Sequence, residues 1–262
     1  MIELNSPQNM SIKHFLPDIQ CDSVYAYSII ESRQRGRVFV DDVNNPQTVL
    51  LWHYNSFAFV SGRTDNNEFN HSLKKLLSGD YEENQRRFVL LVNDKKWNDL
   101  AQSLIVGQSN TQIKERLRFR FDKKAFCDIN ICVPGGYTLR KLDKEIIGKL
   151  QGWIIPAYSW HSSEAFLAGG IGYCLMDGEN IACNSFSSAI GNRILDIGVE
   201  TMVEYRMRGL AVSTAGTMVK YSLNNGFLPN WGCNSDNTGS VKVAEHLGFK
   251  ILDSHPMYIY QP

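Results

Sequence analysis

The chain has 262 residues, 43% of them hydrophobic and 21% charged, which suits one large or two ordinary domains with a packed core. Lysine plus arginine equals aspartate plus glutamate at 27 each, so no global field draws the protein to nucleic acid or an anionic membrane. No segment approaches the roughly 18 uninterrupted apolar residues of a membrane span, and Met1 to Phe15 lack a basic region followed by an apolar core, so a cytoplasmic location is expected.

The first 115 residues read as an α/β unit. A helix is predicted near Ser23 to Ser32, with strands over Arg37 to Val40, Thr48 to Trp52 and Phe57 to Ser61, the last two separated by His53 to Ser56. Leu73, Leu76 and Leu77 form an apolar stripe, Phe88 to Val92 a buried type of strand, and Trp97, Leu100, Leu104 and Ile105 a second stripe. His53, Tyr54, His71 and Trp97 are read as packing residues. Polar, aperiodic residues Gly107 to Gln112 suggest a connection, placing a boundary between residues 1–115 and 116–262.

Arg116 to Phe121 then alternates strictly, with Arg116, Arg118 and Arg120 on one strand face and Leu117, Phe119 and Phe121 on the other. The expectation is a solvated arginine face, with anion binding as the alternative. Pro134-Gly135-Gly136 is a turn, Tyr137 to Lys141 a strand, and a short helix starts near Asp143. Another helix begins near Ser162. Gly172 to Met176 and Ile181 to Ala189 are strands joined through Asp177-Gly178, a hairpin signal.

The stretch Ile194 to Gly226 has three physically distinct parts: an apolar strand with Asp196 and Glu200 on one face, a turn with two arginines, and a helix ending at Asn225-Gly226. In the turn, Gly209 and Ala211 let backbone N–H groups face a ligand where a helix begins, which suits a phosphate or pyrophosphate. Leu228 to Asn234 is predicted as one strand, Ser240 to Leu247 as a short helix preceded by Asn237, and Lys250 to Leu252 and Met257 to Tyr260 as closing strands. The six cysteines, Cys21, Cys127, Cys132, Cys174, Cys183 and Cys233, include no CxxC pair and are expected to be reduced. Cys174 and Cys183 flank the hairpin and are expected to be near one another. No metal site is expected.

Arg206, Gly209 and Ala211 match the pattern Gln or Arg, two residues, Gly, one residue, Gly or Ala, and in this respect the chain resembles the GNAT acyltransferase superfamily. The hairpin before the turn, the helix after it and the Asn237 to Phe249 segment follow the GNAT order. Thr201, Tyr205-Arg206, Pro229, Trp231 with Cys233, Asn237, Ser240 and Ala244-Glu245 resemble the bacterial branch that includes zwittermicin A resistance acetyltransferases. The fold implied is α/β (α+β): a GNAT fold with a central mixed, mostly antiparallel sheet flanked by helices, preceded by a smaller N-terminal α/β domain that shapes the acceptor site.

The resemblance implies N-acetyl transfer from acetyl-CoA, as co-substrate, to a primary amine of an unidentified acceptor by direct attack; a small-molecule amine is expected, and antibiotic amine, polyamine, amino acid and protein N-terminus all stay open. The pyrophosphate would lie on the N–H groups of Met207, Arg208, Gly209, Leu210 and Ala211, with Arg206 and Arg208 supplying charge near the phosphates. The pantetheine arm would run beside Thr201, Met202 and Val203 as an added strand and touch Asn237 and Ser240. Glu200 is the expected base, with Asp196 the runner-up. Where many relatives carry a tyrosine acid this chain has Ala244, so Tyr205, Ser213 or Cys233 would serve, or a thiolate of pKa about 8.5 or somewhat higher would leave unassisted. The alternative is a non-catalytic acyl-CoA sensor. A homodimer is left open.

Overall fold

In this computed structural model the described residues are 1–4, 10–16, 22–81, 86–92 and 94–262. Cys21 lies outside them.

A short edge strand, β1 (Ile2–Glu3), is followed by helix α1 (Ser23–Ile30), all of whose residues are buried. The meander β2 (Gly36–Val40), β3 (Thr48–His53) and β4 (Phe57–Gly62) is antiparallel. Helix α2 (Asn67–Ser78) starts where the Asn66 side chain accepts the N–H of Phe69 and stops at Gly79, whose φ of +83° only glycine adopts freely. Strand β5 (Phe88–Leu91) runs parallel to β4, and α3 (Lys95–Leu104) leads to the long strand β6 (Thr111–Phe121).

The second half follows a similar order. Short helix α4 (Lys123–Cys127) and strand β7 (Thr138–Lys141) precede helices α5 (Lys144–Lys149) and α6 (Ser163–Gly169), capped by Asp143 and Ser162. Strands β8 (Gly172–Asp177), β9 (Asn180–Gly191) and β10 (Ile194–Thr201) form the antiparallel meander, with Gly178 at φ +57° opening the tight turn between β8 and β9. Helix α7 (Leu210–Asn224) leads to β11 (Leu228–Asn230), parallel to β10, then β12 (Gly232–Asn234), helix α8 (Thr238–His246) and β13 (Phe249–Tyr260).

Two sheets result, one ordered β1-β2-β3-β4-β5-β13-β6-β12 and one ordered β11-β10-β9-β8-β7. Each half thus has three antiparallel strands, a helix, a parallel strand and a second helix, and the β6–β13 pair sits between β5 of one half and β12 of the other. The C-terminal core lies on both faces of the smaller sheet. Leu195, Ile197, Met218 and Val219 fill one side with α7, while Leu142, Ile146, Trp160, Phe166 and Phe186 fill the other under α5 and α6.

Several expectations change. The residues expected as a linker up to Gln112 include the start of β6, which crosses the 115/116 division. Leu228 to Asn234 is two strands in two sheets, and the two closing strands are one, with a register shift between Ile251 and Asp253. The arginine face is largely inside: Arg116 pairs with buried Asp22 at 2.9 Å and Arg118 with Asp253 at 2.6 Å, while Arg120 is exposed. An antiparallel strand inside a sheet keeps two faces, and this one is covered at Arg116 and Arg118, where Asp22, Phe57 and Asp253 pack on the guanidiniums, and open at Arg120. The five described cysteines are free. Cys174 and Cys183 are near one another but belong to opposite faces, because Cys174 pairs with Asn184 and Cys183 with Leu175.

Candidate active site

Strands β10 and β11 are paired only from Ile194/Leu228 to Asp196/Asn230. At Trp231 the chain leaves that sheet, and Gly232–Asn234 pairs with β6 in the other. Trp231 is 1% exposed, and its indole N–H donates to Ser240 Oγ at 3.1 Å. The fork therefore opens because one buried side chain anchors the crossing segment beneath α8. A register shift between Asp196 and Ile197 leaves Ser188 as an extra residue on β9, and such a bulge bends a strand and increases its twist.

Past the fork, the β10 edge facing β12 has no strand partner. The carbonyl of Arg193 accepts Leu228 N–H, whereas the Gly198 carbonyl accepts Ser185 Oγ on the opposite side, so alternation places the N–H and C=O of Ile197 and Val199 on the cleft edge. An extended ligand with amide groups can pair there as an added strand. Farther along, backbone groups are committed within the protein. The Thr201 carbonyl accepts Arg206 Nε at 3.3 Å, Met202 N–H donates to Ala182 O at 3.0 Å, and Val203 begins a single helical turn.

At the mouth of the fork the chain makes a tight turn in which Met207 has φ +63° and Gly209 φ +75°. Gly209 is the N-cap of α7 and has no side chain to accept the N–H groups of the first turn, leaving Leu210 and Ala211 with donors directed out of the helix. An added Cβ on Gly209 meets nothing within 4 Å, so this position needs glycine for its left-handed backbone and an open approach. Arg208 donates to Tyr137 Oη at 3.1 Å and to Glu204 O at 2.9 Å, and its guanidinium lies 5.3 Å from the Tyr205 ring centroid. Burial of the Tyr205 hydroxyl and its hydrogen bond to Asp177 raise its pKa.

Glu200 is on the face of β10 beneath the segment joining α5 and α6. Its Oε2 accepts the N–H groups of Trp153 at 2.8 Å and Ile154 at 2.6 Å. Gly152, at φ +105°, makes this possible, since its Cβ would stand 2.6 Å from that oxygen. Asn184, opposite Glu200 on β9, donates to Ile154 O at 2.9 Å, and its Oδ1 is buried without a partner among the described residues. Gly152, Trp153, Ile154 and Asn184 were not legible as site residues, because no local periodicity marks a loop that folds back onto a strand.

The remaining candidates separate. Asn237 caps α8 by accepting Ser240 N–H at 3.0 Å, while Ser240 accepts Trp231. Ser213 Oγ is committed to Cys132 O at 2.7 Å, and burial pushes the Cys233 thiol up. Ala244 is fully buried against the α7 core. Asp196 is buried, and its carboxyl is raised chiefly by desolvation. Among the described residues no three His, Cys, Asp or Glu groups are arranged to hold a metal ion, and no helix is long and apolar enough to cross a membrane.

The profile of the GNAT acetyltransferase family matches residues 14–258. The chain is 26% identical over 261 residues to the Uncharacterized N-acetyltransferase YdfB of Bacillus subtilis, covering 98% of this chain and 97% of that one. A GCN5-related N-acetyltransferase-like protein from Streptococcus suis has a similar fold, with a TM-score of 0.73 at 21% identity over 96% of this chain and 97% of the other. So does a tandem GNAT protein from the clavulanic acid biosynthesis pathway, with a TM-score of 0.64 at 13% identity over 97% and 92%. A turn of free backbone donors at the mouth of a forked sheet, together with a family match spanning nearly the whole chain, places this protein in the GNAT acetyltransferase family, as an enzyme that takes its acetyl group from acetyl-CoA.

Proposed function

We propose that the enzyme acetylates a primary amine of a small molecule by direct attack on acetyl-CoA, with Glu200 removing the proton from the attacking nitrogen. The observation that carries this reading is the fork itself. Its mouth presents the Arg206 to Ala211 turn for the pyrophosphate, its β10 edge presents Ile197 and Val199 for the pantetheine amides, and the carboxylate of Glu200 sits beside it on backbone donors. Asn237 and Ser240 act on this arm through the seat they give Trp231.

Transfer requires a neutral amine, a proton acceptor and stabilisation of the oxyanion. Free β10 N–H groups supply oxyanion donors as part of the same edge that holds the arm. The thiolate leaves unassisted, since Ala244 offers no proton. The N-terminal half shapes the acceptor side through α1, which packs on β9 so closely that a Cβ on Gly191 would lie 2.6 Å from Ser28 N. The resemblance to the branch that includes zwittermicin A resistance acetyltransferases supports a small-molecule acceptor.

The test is release of free CoA with acetyl-CoA and a panel of amines: small alkylamines, polyamines, amino acids, amino sugars and a peptide N-terminus. Amine-dependent release with a mass gain of one acetyl group on a small amine is expected. Binding of acetyl-CoA without transfer to any of them would favour a sensor, and transfer to the peptide alone would overturn the small-molecule assignment.

A further inference from the structure

The apex of the fork is closed by side chains from both halves. Across the last paired rung, Asn230 Nδ2 donates to Asp196 Oδ1 at 2.6 Å, and Tyr25 of α1 donates its hydroxyl to Asp196 Oδ2 at 2.6 Å. Both Asp196 oxygens are therefore occupied, one by the strand about to leave and one by a helix from the other half. Tyr25 is itself held edge-on by Phe57 and His53, with ring centroids 4.9 and 5.3 Å away. Arg116, paired with Asp22 at the start of α1, lies over Phe57 and against Gly232, the first residue of the departing strand.

A second contact from the same half reaches the same place. The bulged residue Ser188 has its carbonyl satisfied by Gln34 Nε2 at 2.9 Å, while Gln34 Oε1 accepts Ile190 N–H at 3.3 Å. Both features that open the fork, the bulge and the parting rung, are thus secured by N-terminal side chains. Alternation puts Asp196 on the same face as Glu200, about 13 Å away at strand rise, so this latch marks the closed end of the groove in which the chemistry would occur.

We propose that Tyr25 is a positioning residue for acetyl transfer: through Asp196 it fixes where β10 and β11 part, and hence where the thioester stops relative to Glu200. This rests on the reading of the fork as the acyl-CoA site. The pyrophosphate turn lies at the far end of β10, so the latch acts on the position of the thioester and leaves the pyrophosphate grip, at the other end of the strand, alone. The charged and titratable groups around Asp196 are Tyr25 of α1, Asp22 just before α1 and Arg116 of β6, with Asn230 of β11 neutral and His53 of β3 behind Tyr25. Burial raises the Asp196 carboxyl, and the hydrogen bond from Tyr25 opposes that rise. Removing the hydroxyl shifts the carboxyl further up, and the acid limb of activity follows it.

The experiment compares Tyr25→Phe, which keeps the ring, with Asp196→Asn and the double variant. Acetyl-CoA affinity is measured by calorimetry, and kcat, KM and the pH profile with the best amine of the panel. Expected are acetyl-CoA affinity within twofold, kcat lowered about tenfold, an acid limb moved toward neutral pH, and no further loss from Tyr25→Phe in the Asp196→Asn background. Unchanged kcat and pH profile, with or without a lowered melting temperature, would reduce Tyr25 to packing and overturn the proposal, as would additive losses in the double variant. Gly209→Val measured alongside separates the two readings: if it leaves acetyl-CoA affinity intact the fork is not the cofactor site, whereas failure of Tyr25→Phe alone leaves that site standing.

Discussion

Trp97 donates its indole N–H to the carbonyl oxygen of Gly62 at 3.1 Å, joining α3 to the end of β4. In the N-terminal half β4 and β5 run parallel from Phe57/Val89 to Phe59/Leu91, the arrangement of β10 and β11. Where the second half leaves an open fork, the first has a tryptophan that is 2% exposed. Its helix start is also unsuited to phosphate, since Asn66 caps α2 and Asp65 and Glu68 place carboxylates around it.

Calorimetry is therefore expected to find one acetyl-CoA per chain. Trp97→Ala should cost about 3–5 kcal/mol of stability without adding a second site. Two equivalents bound by the wild type would contradict the closed N-terminal fork.

Gly209→Val places a β-branched residue at φ +75° and puts a side chain over the α7 donors. The backbone strain is about 1–2 kcal/mol, and acetyl-CoA affinity should fall at least about tenfold, since about 1.4 kcal/mol is a factor of ten. Equal affinity in the variant would remove the turn from the binding site.

Glu200→Gln keeps shape while removing the base, so kcat should fall about 10²- to 10⁴-fold with acetyl-CoA affinity retained. Gly152→Ala should reproduce part of that loss, because its Cβ would stand 2.6 Å from the carboxylate oxygen. Full turnover in Glu200→Gln would remove Glu200 from the mechanism.

Arg116 and Asp22 form a buried ion pair, with side chains 6% and 2% exposed. Arg116→Ala should destabilise the fold by about 3–5 kcal/mol by stranding the carboxylate. An Arg116→Met, Asp22→Leu double variant should recover much of that in urea unfolding, because neither charge is then left alone. Equal losses in the single and double variants would show that packing, rather than the stranded charge, sets the cost.

His53 is buried, and desolvation lowers its pKa from 6.5 to about 4. Its Nδ1 accepts Asn55 N–H at 3.0 Å, and Nε2 has no partner among the described residues, which disfavours the imidazolium. Because the folded pKa lies below the unfolded one, the unfolded chain binds the extra proton between them. Stability from this site is present above pH 6.5 and is lost as pH falls to about 4, by about 3 kcal/mol in all. His53→Phe should flatten the pH dependence of unfolding in that window, and an identical slope in the variant would show that His53 does not carry it.

Secondary structure was mostly legible because its causes are local. Asp143, Ser162 and Asn237 cap the helices they were expected to open, and Gly178 turns the hairpin it marks. The Arg116 to Phe121 alternation was legible as a strand but not as a buried one. Period two says which residues share a face and nothing about what covers it. Leu228 to Asn234 reads as one strand because Trp231 breaks no local rule; only its burial beneath α8 shows why the chain crosses between sheets there.

By itself the sequence determined most of the helices and strands and the donor turn with its unobstructed Gly209 at a helix entry, all set by neighbours a few residues apart. The tertiary structure alone decided the sharing of β6 and β13, the closure of the N-terminal fork by Trp97, the seat of Glu200 on a loop 46 and 47 residues away, and the latch from Tyr25 to Asp196 across 171 residues. Such contacts are chosen by which buried polar groups find partners once the sheets assemble, a condition that no short stretch of chain contains.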